Sequence, residues 1–359
     1  MKSGLWPVGI VGGLIATCYV VLVMSGADWN PTVMLAEGVA APAQLEYAER
    51  TLERPVATRA ALGHDGKFFF ILANDPWLLD PENHASFLDL PSYRSQRMLY
   101  PLLAGGFGLL TAIPTMWGLV VVNVIAAGLG SSATGGIARL LGASRWLGLV
   151  FVVSPGVIAE LDISGAGTLA LALALAGLWL LVKGRSAWAV TALTGAVLAR
   201  ETMILFAAGL CLWAWKARYS FRPALLGVPA AAAIGWRLYI GSRLSSIETT
   251  ATTAEGLSRN FDLVPLRGVL DASAVWTQNQ TKLLWVLCLV AMLALFARRA
   301  WRSPAGITWG AWPFALLSIF LSVVVWLEPF DIARAIAPIF IAYPLILFAK
   351  VPIEESKSK

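Results

Sequence analysis

Charge is what this sequence has least of. Only 13% of its 359 residues are Asp, Glu, Lys or Arg, against roughly a quarter in a soluble globular chain. That shortage excludes a soluble enzyme, a disordered chain and a nucleic-acid-binding domain with a solvated surface. Histidine is scarcer still. His64 and His84 are the only two, too few for a His-rich zinc site. Cys18, Cys211 and Cys288 each fall in an apolar run. They read as buried small hydrophobes, not as a disulfide framework or a metal site.

What the chain has in excess is apolar. It is 58% hydrophobic, with a mean hydropathy of +0.72. Most of it must sit in lipid, where a span needs about 20 apolar residues. The formal charge of +6 then marks a cytoplasmic face, not a nucleic-acid partner.

Apolar runs lie near 5–24, 97–113, 115–141, 146–159, 164–182, 187–199, 202–215, 222–240, 281–297, 307–327 and 331–349. Basic clusters separate them. These are Arg139 and Arg145; Lys183 and Arg185; Lys216, Arg218 and Arg222; Arg298, Arg299 and Arg302; and Lys350, Lys357 and Lys359. They alternate with connections carrying Glu160 and Asp162, Arg200 and Glu201, and Glu328 and Asp331. With the basic clusters in the cytoplasm, only one crossing fits between residues 97 and 141. The run 97–113 is therefore a juxtamembrane helix. The expectation is an all-α polytopic membrane protein of about ten spans, a single membrane domain with both termini cytoplasmic. One large outer loop covers 28–114 and a second covers about 241–280. Gly128–Gly136 reads as a small-residue packing face inside the second span.

Charges near the ends of spans are expensive unless paired or hydrated, which makes them functional candidates. Those on the outer side are Asp65, Arg94, Arg97, Glu160, Asp162, Arg200, Glu201, Arg237, Arg243, Asp331 and Arg334. Arg200 and Arg334 also break the positive-inside pattern. Several acids with several arginines suggest a site that holds an anion and moves a proton. An arginine fork binds two phosphate oxygens at once, and a carboxylate serves as a general base when an apolar setting raises its pKa. Each residue also has a structural reading. Asp65, in Gly63-His64-Asp65-Gly66, fits a turn. Arg94, Arg97 and Arg237 can snorkel to headgroups. Glu160 and Asp162 can cap the next helix. Arg200 and Glu201 can pair with each other, and Asp331 and Arg334 stand at a helical pair spacing. His64 can orient a neighbour.

Three stretches carry a resemblance: His64-Asp65-Gly66-Lys67-Phe68-Phe69-Phe70, then Tyr93-Arg94-Ser95-Gln96-Arg97-Met98-Leu99-Tyr100-Pro101, then Leu198-Ala199-Arg200-Glu201-Thr202, with Arg334 ahead of Pro338. In this order, after one short span and inside a large outer loop, they resemble the GT-C superfamily of integral-membrane glycosyltransferases. The likeness is to bacterial mannosyltransferase-like members of cell-envelope glycan pathways. His64 stands where an aromatic is usual, and Lys67 where a neutral polar residue is usual. The resemblance implies a polyprenyl-phosphate sugar donor, an inverting transfer and an extracytoplasmic active site. It implies Asp65 as general base on the acceptor, which is a glycan, lipid or protein hydroxyl. Arg94, Arg97, Arg200, Arg237 and Arg334 become candidates for the donor phosphate. His64, Glu160, Asp162 and Glu201 would support them. No cofactor or metal is expected. Two other classes stay open, a lipid-linked-sugar or small-molecule transporter and a non-catalytic scaffold of a glycan-assembly complex.

Overall fold

The computed structural model describes residues 4–59, 61–111, 113–219, 221–247, 260–302 and 305–350. Lys2, residues 248–259 of the second outer loop, and Lys357 and Lys359 lie outside the described residues. The chain is helical, and a two-residue parallel pair, β1 (Glu37–Gly38) with β2 (Thr58–Arg59), is the strand structure among the described residues.

Among the described residues four helices are long and apolar enough to cross a membrane. They are α1 (Trp6–Ser25) and, skipping ahead in the chain, α7 (Thr115–Leu140), α12 (Ala224–Leu244) and α14 (Gln280–Ala300). Five more apolar helices are shorter: α6 (Leu99–Thr111), α9 (Gly167–Val182), α10 (Ser186–Ala199), α11 (Met203–Lys216) and α15 (Gly306–Ile319). The first outer loop folds into α2 (Pro42–Leu52), α3 (Gly66–Asn74), α4 (Pro81–Ser86) and α5 (Pro91–Arg94) before α6 begins. Short helices α8 (Pro155–Asp162), α13 (Arg267–Trp276), α16 (Val323–Trp326), α17 (Pro329–Ala335) and α18 (Ala337–Leu347) fill the rest.

Three expected spans are not continuous helices, and each break has a local cause. The run 146–159 changes from a 3-10 turn to α8 at Ser154-Pro155. There the Ser154 hydroxyl accepts from the Val157 N–H and proline takes the first helical position. The run 307–327 is interrupted because residues 320–322 bond sideways. Phe320 O accepts from Asp262 N at 2.8 Å, and Ser322 N donates to Asn260 O at 3.0 Å. The run 331–349 bends by 69° between α17 and α18. Pro338 lies four residues after Arg334, where its ring clashes with the Arg334 carbonyl and it has no N–H to give. Counted by length and composition, the candidate spans among the described residues are four, or five with this bent pair as one. Ten is the reading of hydropathy and charge alone.

The helices pack as α1 on α7, α7 on α9, α9 on α10, α10 on α12, and α11 on α15. The small-residue run of α7 lies inward, with Gly130, Ser131, Ala133, Thr134, Gly135 and Gly136 all buried. The cysteines are not core residues. Cys18 and Cys288 are exposed and Cys211 half-buried. All three sit on apolar helices, so composition alone does not separate an outward apolar face from an inward one.

Candidate active site

Asp65 stands at the start of α3 between two glycines, and both are sterically required. Gly63 has φ +67°, and a side chain there would run into the Ala36 carbonyl. A Cβ on Gly66 would meet the carbonyls of Ile163 and Leu35. The His64 N–H donates to Ala36 O at 2.9 Å. The Gly-His-Asp-Gly turn is thus pressed between residue 36 and residue 163, and Asp65 is fixed within the fold. It is a turn residue and the centre of a charge cluster at once.

Three arginines face it. Arg94 Nη1 donates to Asp65 Oδ1 at 2.8 Å, and Arg334 Nη2 to Asp65 Oδ2 at 2.6 Å. Arg97 Nη1 stands 3.7 Å from Oδ2. Each arginine is itself held. Asp89 takes Nε and Nη2 of Arg94 at 2.8 Å each. Glu201 takes Nε and Nη2 of Arg97 at 2.9 Å each, and the Tyr93 hydroxyl accepts from Nη2 at 2.8 Å. Glu160 accepts from Arg334 Nε at 2.8 Å and Asp331 from its Nη1 at 3.1 Å. Arg200 reaches the same cluster through Nη1, 2.7 Å from Glu160 Oε1. The Arg200 Nε is buried with no hydrogen-bond partner among the described residues. Aromatic faces back the cations, with Arg94 4.0 Å above the Phe68 ring and Arg97 5.3 Å above the Tyr93 ring.

These groups line one cavity of about 570 Å³. Its wall contains His64, Asp65, Lys67, Arg94, Arg97, Arg200, Glu201 and Arg334, with apolar Leu317, Leu321 and Val325 opposite in composition. Glu160 lies behind the wall and positions Arg334 and Arg200.

The electrostatics depart from the expected ones. Burial alone would raise the pKa of Asp65. The guanidiniums of Arg334, Arg94 and Arg97 outweigh burial and hold the carboxyl well below the usual range. Burial would likewise raise Glu201, and Arg97 brings it down to about 2. Asp65 is an ionised, firmly held carboxylate here, and not one poised by an apolar setting.

Three sequence candidates lie elsewhere. Asp162 pairs with Arg59, and its Oδ1 accepts from the Tyr19 hydroxyl at 3.4 Å. It joins α8 to α1 and β2, away from the cavity wall. Arg237 Nη2 donates to Gln96 Oε1 at 2.7 Å, beside a bond from Trp236 Nε1 to Ser95 O at 2.8 Å. It braces the loop that carries Arg94 and Arg97 and is not among the cavity residues. Arg243 does the same farther along, donating to the Leu78 carbonyl. Arg200 and Glu201 do not pair with each other; each takes a partner from another segment.

Sequence reasoning missed Asp89, Lys67 and Glu37. Asp89 stands five residues before Arg94 with Pro91 between, so no helical spacing linked the two. Lys67 is buried beside Asp65, and its ammonium donates to the Leu62 carbonyl. Glu37 is fully buried, and neither carboxyl oxygen has a hydrogen-bond partner among the described residues. No sequence signal marked it. Burial raises the Glu37 carboxyl to about 7, against an opposing pull from Lys67.

Chemically, the arrangement combines a fixed carboxylate, a fan of guanidiniums and an apolar flank in one enclosure. Among the described residues no group of three or more His, Cys, Asp or Glu has metal-holding geometry. Comparison with protein-family models, with curated proteins and with solved structures returns no match.

Proposed function

We propose that this chain is an integral-membrane glycosyltransferase that takes a sugar from a polyprenyl-phosphate donor, mannose-like in our reading, to a hydroxyl acceptor at the extracytoplasmic face. The observation that carries the reading is the meeting of Asp65 with Arg94, Arg97 and Arg334 in one cavity wall, with Arg200 beside them. Guanidinium forks match phosphate oxygens, and a departing phosphate needs donors where its charge develops. Asp65 would take the acceptor's proton as that oxygen bonds to the anomeric carbon. The bond from carbon to the phosphate oxygen breaks on the opposite face, so configuration inverts. The apolar residues of the wall suit a donor that is mostly hydrocarbon. The sidedness, the ten-span count and the GT-C architecture belong to this proposal.

One observation favours a second reading. Arg334 lies in the first half of a helix broken by 69°, and broken helices beside a charged site also build secondary transporters. One experiment separates the two. Purified protein in sealed proteoliposomes is offered a panel of polyprenyl-phosphate sugars with membrane extract as acceptor. Transfer of sugar, scored by mass, is the expected result. Movement of a donor across the bilayer without transfer would favour the transporter. Neither transfer nor movement would favour a scaffold.

A further inference from the structure

The cavity that would take an anion has few free cations to offer. Arg94 engages all three guanidinium nitrogens, two with Asp89 and one with Asp65. Each nitrogen of Arg334 likewise has a carboxylate partner, from Glu160, Asp331 and Asp65, so three of the five N–H groups of each guanidinium are taken. A phosphate that takes a two-point grip on either arginine competes for nitrogens that already hold a carboxylate.

Geometry decides which one yields. Asp89 holds Arg94 with a two-point grip. Glu160 is deeply buried and is fixed further by the Gly167 N–H at 3.0 Å. Asp331 also lines the cavity but touches Arg334 alone, at 3.1 Å, whereas Asp65 takes one nitrogen from each arginine, so an anion that bridges the two arginines meets Asp65. Arg97, whose Nη1 stands 3.7 Å from Asp65 Oδ2, lines the same wall as a first contact for the incoming anion.

We propose that a monoanionic phosphodiester seated in the cavity displaces Asp65 from Arg94 and Arg334, so that binding the donor is what frees the Asp65 carboxylate to accept a proton. This rests on the reading of the cavity as a phosphodiester site and adds the regulation of its base. The resting network keeps Asp65 too weak a base to act. Once its arginines turn to phosphate, burial and the new negative charge both favour the protonated form.

The charged groups around Asp65 bear on the sign. Arg94 and Arg97 come from the α5 segment, Arg334 from α17 and Lys67 from α3. Asp89, Glu160, Glu201 and Asp331 hold those arginines. A group whose proton affinity is higher in the bound state takes up a proton on binding, so binding tightens as pH falls. Binding at pH 5 is therefore tighter than at pH 7.

The test is calorimetric, on the full chain in nanodiscs, with geranyl methyl phosphate as probe. This diester is a monoanion throughout the range. Titrations at pH 7 and pH 5, in buffers of different ionisation enthalpy, read affinity and proton uptake together. The expected result is tighter binding at pH 5 with net proton uptake. The Asp65→Asn protein should bind independently of pH, and more tightly than wild type at pH 7 because its arginines have lost a charged competitor. Wild-type binding that is flat in pH with no proton uptake overturns the inference and leaves the phosphodiester site standing. Weaker binding by Asp65→Asn also overturns it. The wild-type measurement stands alone if that variant fails to fold. Absence of any binding removes the phosphodiester reading itself, and the inference with it.

Discussion

Glu160 and Asp162 sit two residues apart on α8 and lead to different parts of the molecule. Glu160 is buried under the cavity, joined to Arg334, Arg200 and the Gly167 N–H. Asp162 points to the other side, to Arg59 and Tyr19. Successive helical residues are about 100° apart, so a two-residue step turns a side chain about 200° away. Two carboxylates two residues apart on one helix therefore share no chemistry. One region is a buried network serving a cavity, and the other is a half-exposed tie between helices.

The stability effects of breaking each region should fall in a definite order. Replacing Arg334 with Met removes the cation shared by Asp65, Glu160 and Asp331. Breaking a buried ion pair by removing one partner costs about 3–5 kcal/mol, and chemical unfolding in lipid or detergent should show a loss of that size. Glu160→Gln keeps the shape and removes the charge opposite Arg334 and Arg200. Its loss should be smaller, about 1–3 kcal/mol for a buried group left poorly satisfied. Asp162→Asn acts on a partly exposed pair, and its loss should be about 1 kcal/mol or less. A larger loss from Asp162→Asn than from Glu160→Gln would erase the distinction between the two faces of α8.

Glu37 sharpens the comparison from another direction. Like Asp65 it is a carboxyl inside the first outer loop, and the two segments touch where Glu37 bridges Gly63. Asp65 faces three arginines and is held low, whereas Glu37 has no hydrogen-bond partner among the described residues and is raised to about 7. Partners, and not burial, decide the sign. A folded-state pKa raised above the ordinary 4.5 means stability is fully present below that value. It is lost as pH rises toward 7. Glu37→Gln should remove that loss. Its melting temperature should match wild type near pH 4.5 and exceed it by a few degrees at pH 7 and above. A constant difference across that range would contradict the assignment.

Much of the fold class was legible in the sequence, because hydropathy and scarce charge report directly on lipid exposure. The helical character, the long helices at 6–25, 115–140, 224–244 and 280–300, and the buried small-residue run of α7 follow from composition. The breaks at Ser154, at 320–322 and at Ile336 do not, since they depend on capping, on a sideways pairing with residues 260–262, and on one proline. At the site, Asp65, Arg94, Arg97, Arg200, Glu201 and Arg334 were legible as charges with no apolar explanation, and they meet. Arg237 and Asp162 carried the same signal but point elsewhere, because position along a chain does not report the direction of a side chain. Asp89 and Lys67 were hidden because each contacts a group five residues away, off any helical spacing, and Glu37 because its burial arises only when the outer loop folds.

The central claim is that the cavity at Asp65 is where a sugar changes hands. The most direct test measures initial rates of sugar transfer by wild type, Asp65→Asn and Asp162→Asn in one nanodisc preparation, with unfolding curves confirming that all three are folded. The account predicts a loss of at least about 100-fold for Asp65→Asn, the usual contribution of a positioned general base, and near wild-type transfer for Asp162→Asn. Retention of more than about a tenth of the rate by Asp65→Asn, below what such a base contributes, would contradict it.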